Sequence, residues 1–224
     1  VILFASIWYY FGGNKNNTET IIPTSATTSR ATPTMSFFIT SVNPGTGGNF
    51  GGITGADNYC KMLATAVGYG EKTWRAYLSQ PASGTSAAIN ARDRIGNGPW
   101  YNAKGELIAR NIDELHGENN LNKLTALTES GNIVTGRGDS QNLHDILTGS
   151  DAMGRAISTS SDTTCQNWTS STTGSAQVGH HDRVGINDTA PMKSWNSSHT
   201  TRGCSLENFR TTGGAGLLYC FAAN

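Results

Sequence analysis

Charged side chains are scarce in this sequence. Only 14% of its 224 residues are Asp, Glu, Lys or Arg, and 16 basic against 16 acidic side chains give a net charge of zero with histidine neutral. Binding to nucleic acids or to heparin-like polyanions depends on a concentrated positive charge. The composition therefore gives no support to a function of that kind.

Signatures of common catalytic sites are also missing. The sequence contains no HExxH motif, no GxSxG nucleophile elbow and no glycine-rich phosphate loop after a predicted strand. None of its four cysteines stands in a CxxC pair, so a zinc ribbon or a thioredoxin-type site is not indicated. We therefore expect a protein that is not an enzyme and that carries no cofactor.

The four cysteines indicate structural disulfides. Cys60, Cys165, Cys204 and Cys220 allow three pairings, and free buried thiols are the alternative. Cys60 projects from a predicted helix toward the core, and its most economical partner is Cys220, in an apolar run near the end of the chain. Because disulfides persist in oxidising compartments, we expect the folded part to lie in the periplasm or the extracellular space.

Residues 55–78 predict a helix followed by a strand. Asp57 is a suitable N-cap and Gly68 a suitable helix stop. Between them an apolar stripe has helical spacing, and residues 72–78 then alternate with a period of two. The stripe consists of Cys60, Leu63, Ala64 and Val67. With 27 glycines in the chain, we expect a loop-rich α+β domain.

The first 13 residues, VILFASIWYYFGG, predict the outer half of a transmembrane anchor. A spanning helix needs about 20 apolar residues, so the printed run is too short to cross a bilayer alone. Aromatic residues follow Ile7 at the point where the run meets Gly-Gly-Asn, as in an interfacial belt. These are Trp8, Tyr9, Tyr10 and Phe11. A signal-peptide core is the rival interpretation, but the residues that follow make a poor cleavage site.

Residues 14–36 are rich in Thr, Ser and Asn and carry too little apolar surface to fold alone, so we interpret them as a tether. The predicted domain spans residues 37–224. It begins with a strand over 37–42, continues with the helix and strand described above and a short helix over 87–95, and ends in a β-rich half.

Seven segments occur in an order that resembles a known family. They are GADNYC, TWRAYLS, ARDR, NAKGEL, HDILTGSDAMGR, TCQNWTS and GSAQVG. Over about residues 37–223 the chain resembles the C-type lectin-like superfamily, most closely its endostatin-like branch. The resemblance implies a C-type lectin-like fold with mixed, mostly antiparallel sheets and two short helices. It also implies nested disulfides, Cys60 with Cys220 and Cys165 with Cys204.

The sequence departs from that family at its known binding sites. Sugar-binding members use an EPN or QPD loop and a WND strand to hold calcium, whereas this chain has neither loop and has Trp195, Asn196 and Ser197 in the WND-like place. We therefore expect no calcium there, and glycan binding has no calcium motif to support it. The arginine-rich heparin surface and the N-terminal histidine zinc site of animal endostatins also lack counterparts.

Candidate ligand or metal contacts are few. His180, His181, Asp182 and Arg183 form the one dense polar group with histidine, and Trp195 and Asn196 are further candidates. In a strand only His180 and Asp182 share a face, and no third ligand is visible, so we predict no metal and a hydrogen-bonded loop as the alternative. Residues 137–140 spell RGDS, which could serve adhesion on an exposed turn.

Two functions agree with these patterns. The first is a non-catalytic, membrane-anchored accessory subunit whose lectin-like domain binds and stabilises a larger hetero-oligomeric membrane complex. In that case residues 1–36 account for membrane attachment and much of the docking, because neither the apolar run nor the tether can order itself. The second is a surface or secreted lectin or adhesion module for glycans or a protein ligand.

Overall fold

The structure, a computed structural model, describes residues 12–13 and 34–223 of the chain. The predicted anchor residues 7–11 and nearly all of the predicted tether lie outside this part. Among the described residues, no helix is both long and apolar enough to cross a bilayer.

The described chain has the α+β class that the sequence predicts, with short strands and few helices between long loops. The strands are β1 Phe37–Ile39, β2 Trp74–Ala76, β3 Trp100–Tyr101, β4 Leu107–Ala109, β5 Asp145–Leu147, β6 Gln177–His180, β7 His199–Thr200 and β8 Gly214–Ala222. The helices are α1 Gly52–Ala66, α2 Ile112–His116 and α3 Leu206–Arg210. Two 3-10 turns, Ala91–Asp93 and Pro191–Lys193, and a left-handed turn, Cys165–Trp168, complete the elements.

Strand β8 is the centre of the main sheet. Residues 219–222 pair antiparallel with β1 and β2, and the first part of β8 pairs parallel with β5. Antiparallel β6 and β7 extend the sheet beyond β5, in the order β1-β8-β5-β6-β7. β3 and β4 form a separate hairpin.

Both faces of β8 are buried, which explains its continuous apolar sequence. Leu218, Cys220 and Ala222 pack into one core cluster under α1, whereas Leu217, Tyr219 and Phe221 pack into another with Trp100 and Trp195. This is the period-two alternation of a strand between two layers. β8 consequently connects the helical side of the domain with the side that carries the long loops.

Helix α1 begins at Gly52, five residues before the predicted N-cap, so the N-cap prediction for Asp57 is wrong. The Asp57 carboxylate accepts a hydrogen bond from the backbone N–H of Ala76 (2.9 Å) and forms ion pairs with Arg75 (2.8 Å) and Arg94 (2.7 Å). It therefore fastens α1 to β2 rather than starting the helix. Within the predicted stripe, Cys60 and Ala64 are fully buried.

The two disulfides join Cys60 with Cys220 and Cys165 with Cys204, the pairs that the resemblance implies. The first connects α1 to β8. The second connects the left-handed turn to the segment before α3. Both bridges thus lie in the core cluster under α1.

The helix predicted over residues 87–95 is wrong, since only the 3-10 turn Ala91–Asp93 forms. The backbone groups of this segment form hydrogen bonds with other parts of the chain. Ile89 exchanges two backbone hydrogen bonds with Gln80, and the N–H of Ala91 donates to Ser79 Oγ (2.9 Å). These partners hold the chain extended where a helix would have to begin.

Candidate metal centre

Three histidines and one aspartate converge at one end of strands β5, β6 and β7 of the main sheet. His144, Asp145 and His180 each offer a ligand atom, and these atoms lie within 4.8 Å of one another. Nε2 of His199 lies 3.0 Å from Nε2 of His180. We call these four residues the His/Asp cluster.

Sheet pairing brings the cluster together. Asp145 begins β5 and pairs in register with His180, the last residue of β6. His199 begins β7, the next strand, and His144 directly precedes β5. Strand register thus brings together residues in or directly beside three strands. Up to 55 positions separate these residues in the sequence.

Asp145 is the centre of the cluster and is only 2% exposed. Its Oδ1 lies 3.3 Å from Nε2 of His144, 3.3 Å from Nε2 of His180 and 3.5 Å from Nε2 of His199. None of these contacts has the geometry of a hydrogen bond, and both carboxylate oxygens lack a hydrogen-bond partner. Burying a carboxylate without a hydrogen-bond partner costs free energy, and a positive charge beside it would offset this cost.

The pKa directions agree with that electrostatic environment. Burial raises the pKa of Asp145, but the surrounding histidines outweigh burial and hold the pKa of this carboxyl below its ordinary value. Contact with Asp145 in turn raises the pKa of His199. The cluster therefore favours an ionised carboxylate facing the ring nitrogens.

The other ring nitrogen of each histidine has its own acceptor. We assign a proton to each Nδ1, because each faces an oxygen that can only accept. The Nδ1 of His144 donates to Asp182 Oδ1 (3.2 Å), that of His180 to the Met192 carbonyl (2.8 Å) and that of His199 to the Thr200 carbonyl (3.2 Å). In the neutral ring this leaves a lone pair on every Nε2.

Asp182 is the carboxylate behind His144. Burial alone would raise its pKa, but hydrogen bonds from His144 and from the N–H groups of Arg137 (2.7 Å) and Val184 (3.0 Å) lower it well below the ordinary range. The ionised Asp182 thus fixes the ring orientation of His144.

Two glycines leave room for the cluster. A Cβ on Gly213, whose φ is 107°, would lie 3.1 Å from the His144 ring, and a Cβ on Gly214 would lie 2.9 Å from the Asp145 Cβ. Any side chain here would displace the cluster residues. The start of β8 can therefore approach β5 closely because both positions are glycine.

A surface pocket of about 350 Å³ borders the cluster. Arg137, Ile186 and Met192 line it together with His144, His180 and His199. The side chain of His199 is 29% exposed, whereas those of Asp145 and His180 are almost fully buried. An ion could therefore enter past His199.

The predicted polar group, residues 180–183, separates into different environments. His180 belongs to the cluster, but its carboxylate neighbour is Asp145 and not Asp182, because the chain turns directly after β6. His181 is fully buried, its Nε2 faces the Thr135 carbonyl (3.4 Å), and burial lowers its pKa to about 4. Arg183 donates to the Leu121 carbonyl (2.7 Å) and to Asn119 (2.6 Å), so it fastens two loops together.

Trp195 and Asn196 are built into the domain. The Trp195 ring packs on Tyr77 at a centroid distance of 4.8 Å and is only 3% exposed. The side-chain amide of Asn196 donates to the Tyr77 hydroxyl (3.0 Å) and to the carbonyls of Asp151 and Ala152 (both 3.2 Å). These contacts give both residues a structural role.

The RGDS segment is also engaged internally. Nζ of Lys123 lies 2.6 Å from Asp139 Oδ2, and the same oxygen accepts a hydrogen bond from the N–H of Gly136 (2.7 Å). An adhesion motif needs this carboxylate for its receptor. The ion pair therefore competes with such a role.

Sequence reasoning missed His144, Asp145 and His199. It considered only residues adjacent in the chain, and it placed Asp182 beside His180 by strand alternation. The available signal was the His–Asp doublet that opens the segment HDILTGSDAMGR and a lone histidine five residues before Cys204. Neither is distinctive until strand pairing brings them together.

No protein-family model matches this chain, and a comparison with curated proteins finds no match.

Proposed function

We propose that this protein is a non-catalytic accessory subunit, anchored in a membrane by its N-terminal segment, whose extracytoplasmic C-type lectin-like domain binds and stabilises a larger membrane protein assembly. The observation that carries this proposal is the combination of an apolar aromatic run, a polar tether and a disulfide-closed domain in one chain. Each part alone is common, but the combination suits a compact binding domain that a flexible tether keeps within a limited distance of a bilayer.

The connection between tether and domain supports this arrangement. The N–H of Ala222 donates to the Ser36 carbonyl (2.9 Å), and β1 pairs along the last part of β8. The chain therefore enters the domain beside the end of β8. The His/Asp cluster lies beside the start of this nine-residue strand, roughly 25 Å away at ordinary strand rise. The cluster end of the domain would consequently be presented away from the attachment point.

Exposed apolar side chains at the cluster end offer a contact surface for a partner. Ile186 is 75% exposed and lines the pocket beside the cluster, and Val184 is 46% exposed on the same loop. Isolated apolar residues are common on surfaces, but two on one loop next to a pocket favour a protein contact.

The alternative, a lectin or adhesion module, has less support. The side-chain amide of Asn196 donates its hydrogen bonds to partners inside the domain, and the Asp139 carboxylate is paired with Lys123. A sugar or a receptor would have to break these contacts. The RGDS segment and the WND-like place therefore contribute little to that alternative.

Deletion of residues 1–33 tests the proposal. The deletion stops there because Met35 is only 1% exposed and Ser36 bonds to Ala222, so both belong to the domain although the sequence pattern assigned them to the tether. We expect a soluble domain with both disulfides that no longer co-purifies with membrane proteins, whereas the full chain does.

Two full-chain variants sharpen the test. Ile186→Asp should weaken co-purification at least tenfold if the loop is a contact, whereas Leu124→Asp, at a residue 68% exposed elsewhere, should leave it unchanged. A full chain that behaves as a free monomer in membrane extracts, or a truncated domain that stays bound, would contradict the proposal.

A further inference from the structure

We propose that the His/Asp cluster binds one Zn²⁺ ion through Nε2 of His144, His180 and His199 and through the carboxylate of Asp145. The ion would be structural and would link β5, β6 and β7. This inference concerns the cluster alone and holds whether or not the chain is a membrane-anchored subunit.

The first argument is charge. With Nδ1 of each ring donating to an oxygen, three Nε2 lone pairs and an ionised carboxylate face one another. All four groups are acceptors, and they repel each other unless a proton or a metal cation lies among them. A proton can serve one pair, such as the two nitrogens of His180 and His199 at 3.0 Å, whereas a metal cation serves all four atoms at once.

The second argument is distance. In a tetrahedral zinc site with bonds of about 2.0–2.1 Å, neighbouring ligand atoms lie about 3.3 Å apart. Four of the six separations in such a site lie near this value: the nitrogen–oxygen separations around Asp145 are 3.3, 3.3 and 3.5 Å, and the His180–His199 nitrogen separation is 3.0 Å. The ligand atoms of His144, Asp145 and His180 lie within 4.8 Å of one another, and His199 joins this group through its contacts with His180 and Asp145. The short separation involves His199, the most exposed ligand, which can shift by a few tenths of an ångström. The His144 and His180 rings, stacked at 4.1 Å, must fan apart slightly.

The third argument is support behind the ligands. Histidines that bind metals usually donate their other N–H to a carboxylate or a carbonyl, which fixes the tautomer and the ring plane. Here Asp182 takes this part for His144, and the carbonyls of Met192 and Thr200 take it for His180 and His199. All three ligand rings therefore have the partners of a prepared metal site.

The ligand set favours zinc and a structural role. Calcium and magnesium take oxygen ligands, six or more for calcium, whereas imidazole suits zinc and other late transition metals. Catalytic zinc sites keep a position open for water, but four protein ligands fill a tetrahedral ion. This agrees with a non-catalytic domain.

The experiment measures metal content in the full chain, produced where both disulfides form. After loading with ZnCl₂ and dialysis against metal-free buffer, elemental analysis should find about one zinc per chain. Replacement by Co²⁺ should give the intense visible bands of a tetrahedral complex, and thermal unfolding should shift upward with zinc and return with a chelator.

Matched variants identify the ligands. His180→Ala and Asp145→Asn should lose the bound zinc, and Asp182→Asn should retain it with about 10–100-fold weaker affinity, as for a positioning residue behind a ligand. His181→Ala is the control, because it removes a buried histidine next to His180 that faces Thr135, and it should keep one zinc. His199→Gln covers the case in which buried variants misfold, since His199 is partly exposed on an edge strand.

Three results would overturn the proposal. They are a loaded wild-type chain with no zinc after dialysis, a cobalt spectrum of octahedral type, and zinc that persists in both Asp145→Asn and His199→Gln. In any of these cases co-purification with membrane proteins can still succeed, so failure of the metal site and failure of the proposed function are distinguishable.

Discussion

Two buried aspartates lie near opposite ends of β8 and differ in how their charge is neutralised. Asp57, on the α1 side, is 6% exposed and is neutralised by two arginines and a backbone N–H. Asp145, on the β5–β7 side, is 2% exposed and is surrounded by histidine nitrogens without a hydrogen bond. On the α1 side, protein atoms alone neutralise the carboxylate. On the β5–β7 side, the proposed zinc ion neutralises it.

Both disulfides belong to the core cluster on the α1 side, and removing them should give the largest effects. Cys60→Ser with Cys220→Ser opens a loop of 160 residues, and Cys165→Ser with Cys204→Ser opens one of 39 residues. The chain-entropy model predicts losses of about 5 and about 4 kcal/mol in the free energy of unfolding, respectively. Urea denaturation of both double variants checks this, and a larger loss from the shorter loop would contradict the expected order.

Asp57→Asn should come next. It leaves Arg75 and Arg94 without their common carboxylate, and breaking such a buried pair costs about 3 kcal/mol. The loss should be the same with and without zinc, because Asp57 is not part of the cluster. Asp113→Asn is the control, since Asp113 is 97% exposed and its removal from Arg92 should change the free energy of unfolding by less than about 0.5 kcal/mol. An Asp57→Asn loss as small as the control would refute the structural role of Asp57.

Asp145→Asn should differ from Asp57→Asn in its dependence on zinc. With free zinc at 100 times the dissociation constant, the wild-type chain should gain about 2.7 kcal/mol in the free energy of unfolding, and Asp145→Asn should gain almost none of it. Denaturation of wild type and both variants in zinc and in chelator measures this difference. Equal zinc effects in Asp57→Asn and Asp145→Asn would remove the distinction between the two sides.

The two sides also differ in what the sequence could reveal. The helical stripe around Cys60 and the apolar run of β8 are local patterns, so α1, β8 and their contact were predictable. Asp57 was assigned the wrong backbone partner, since a carboxylate that caps a helix and one that accepts the N–H of Ala76 have the same local sequence. The cluster was not predictable, because its residues come from three strands and only their register brings them together.

The most direct test of the metal centre is a crystal structure of the zinc-loaded chain, with diffraction data collected on both sides of the zinc absorption edge. The account predicts one anomalous peak inside the His/Asp cluster, about 2.0–2.2 Å from Nε2 of each histidine and from an oxygen of Asp145. A cluster without a peak, or a peak bound only at other residues, would contradict it.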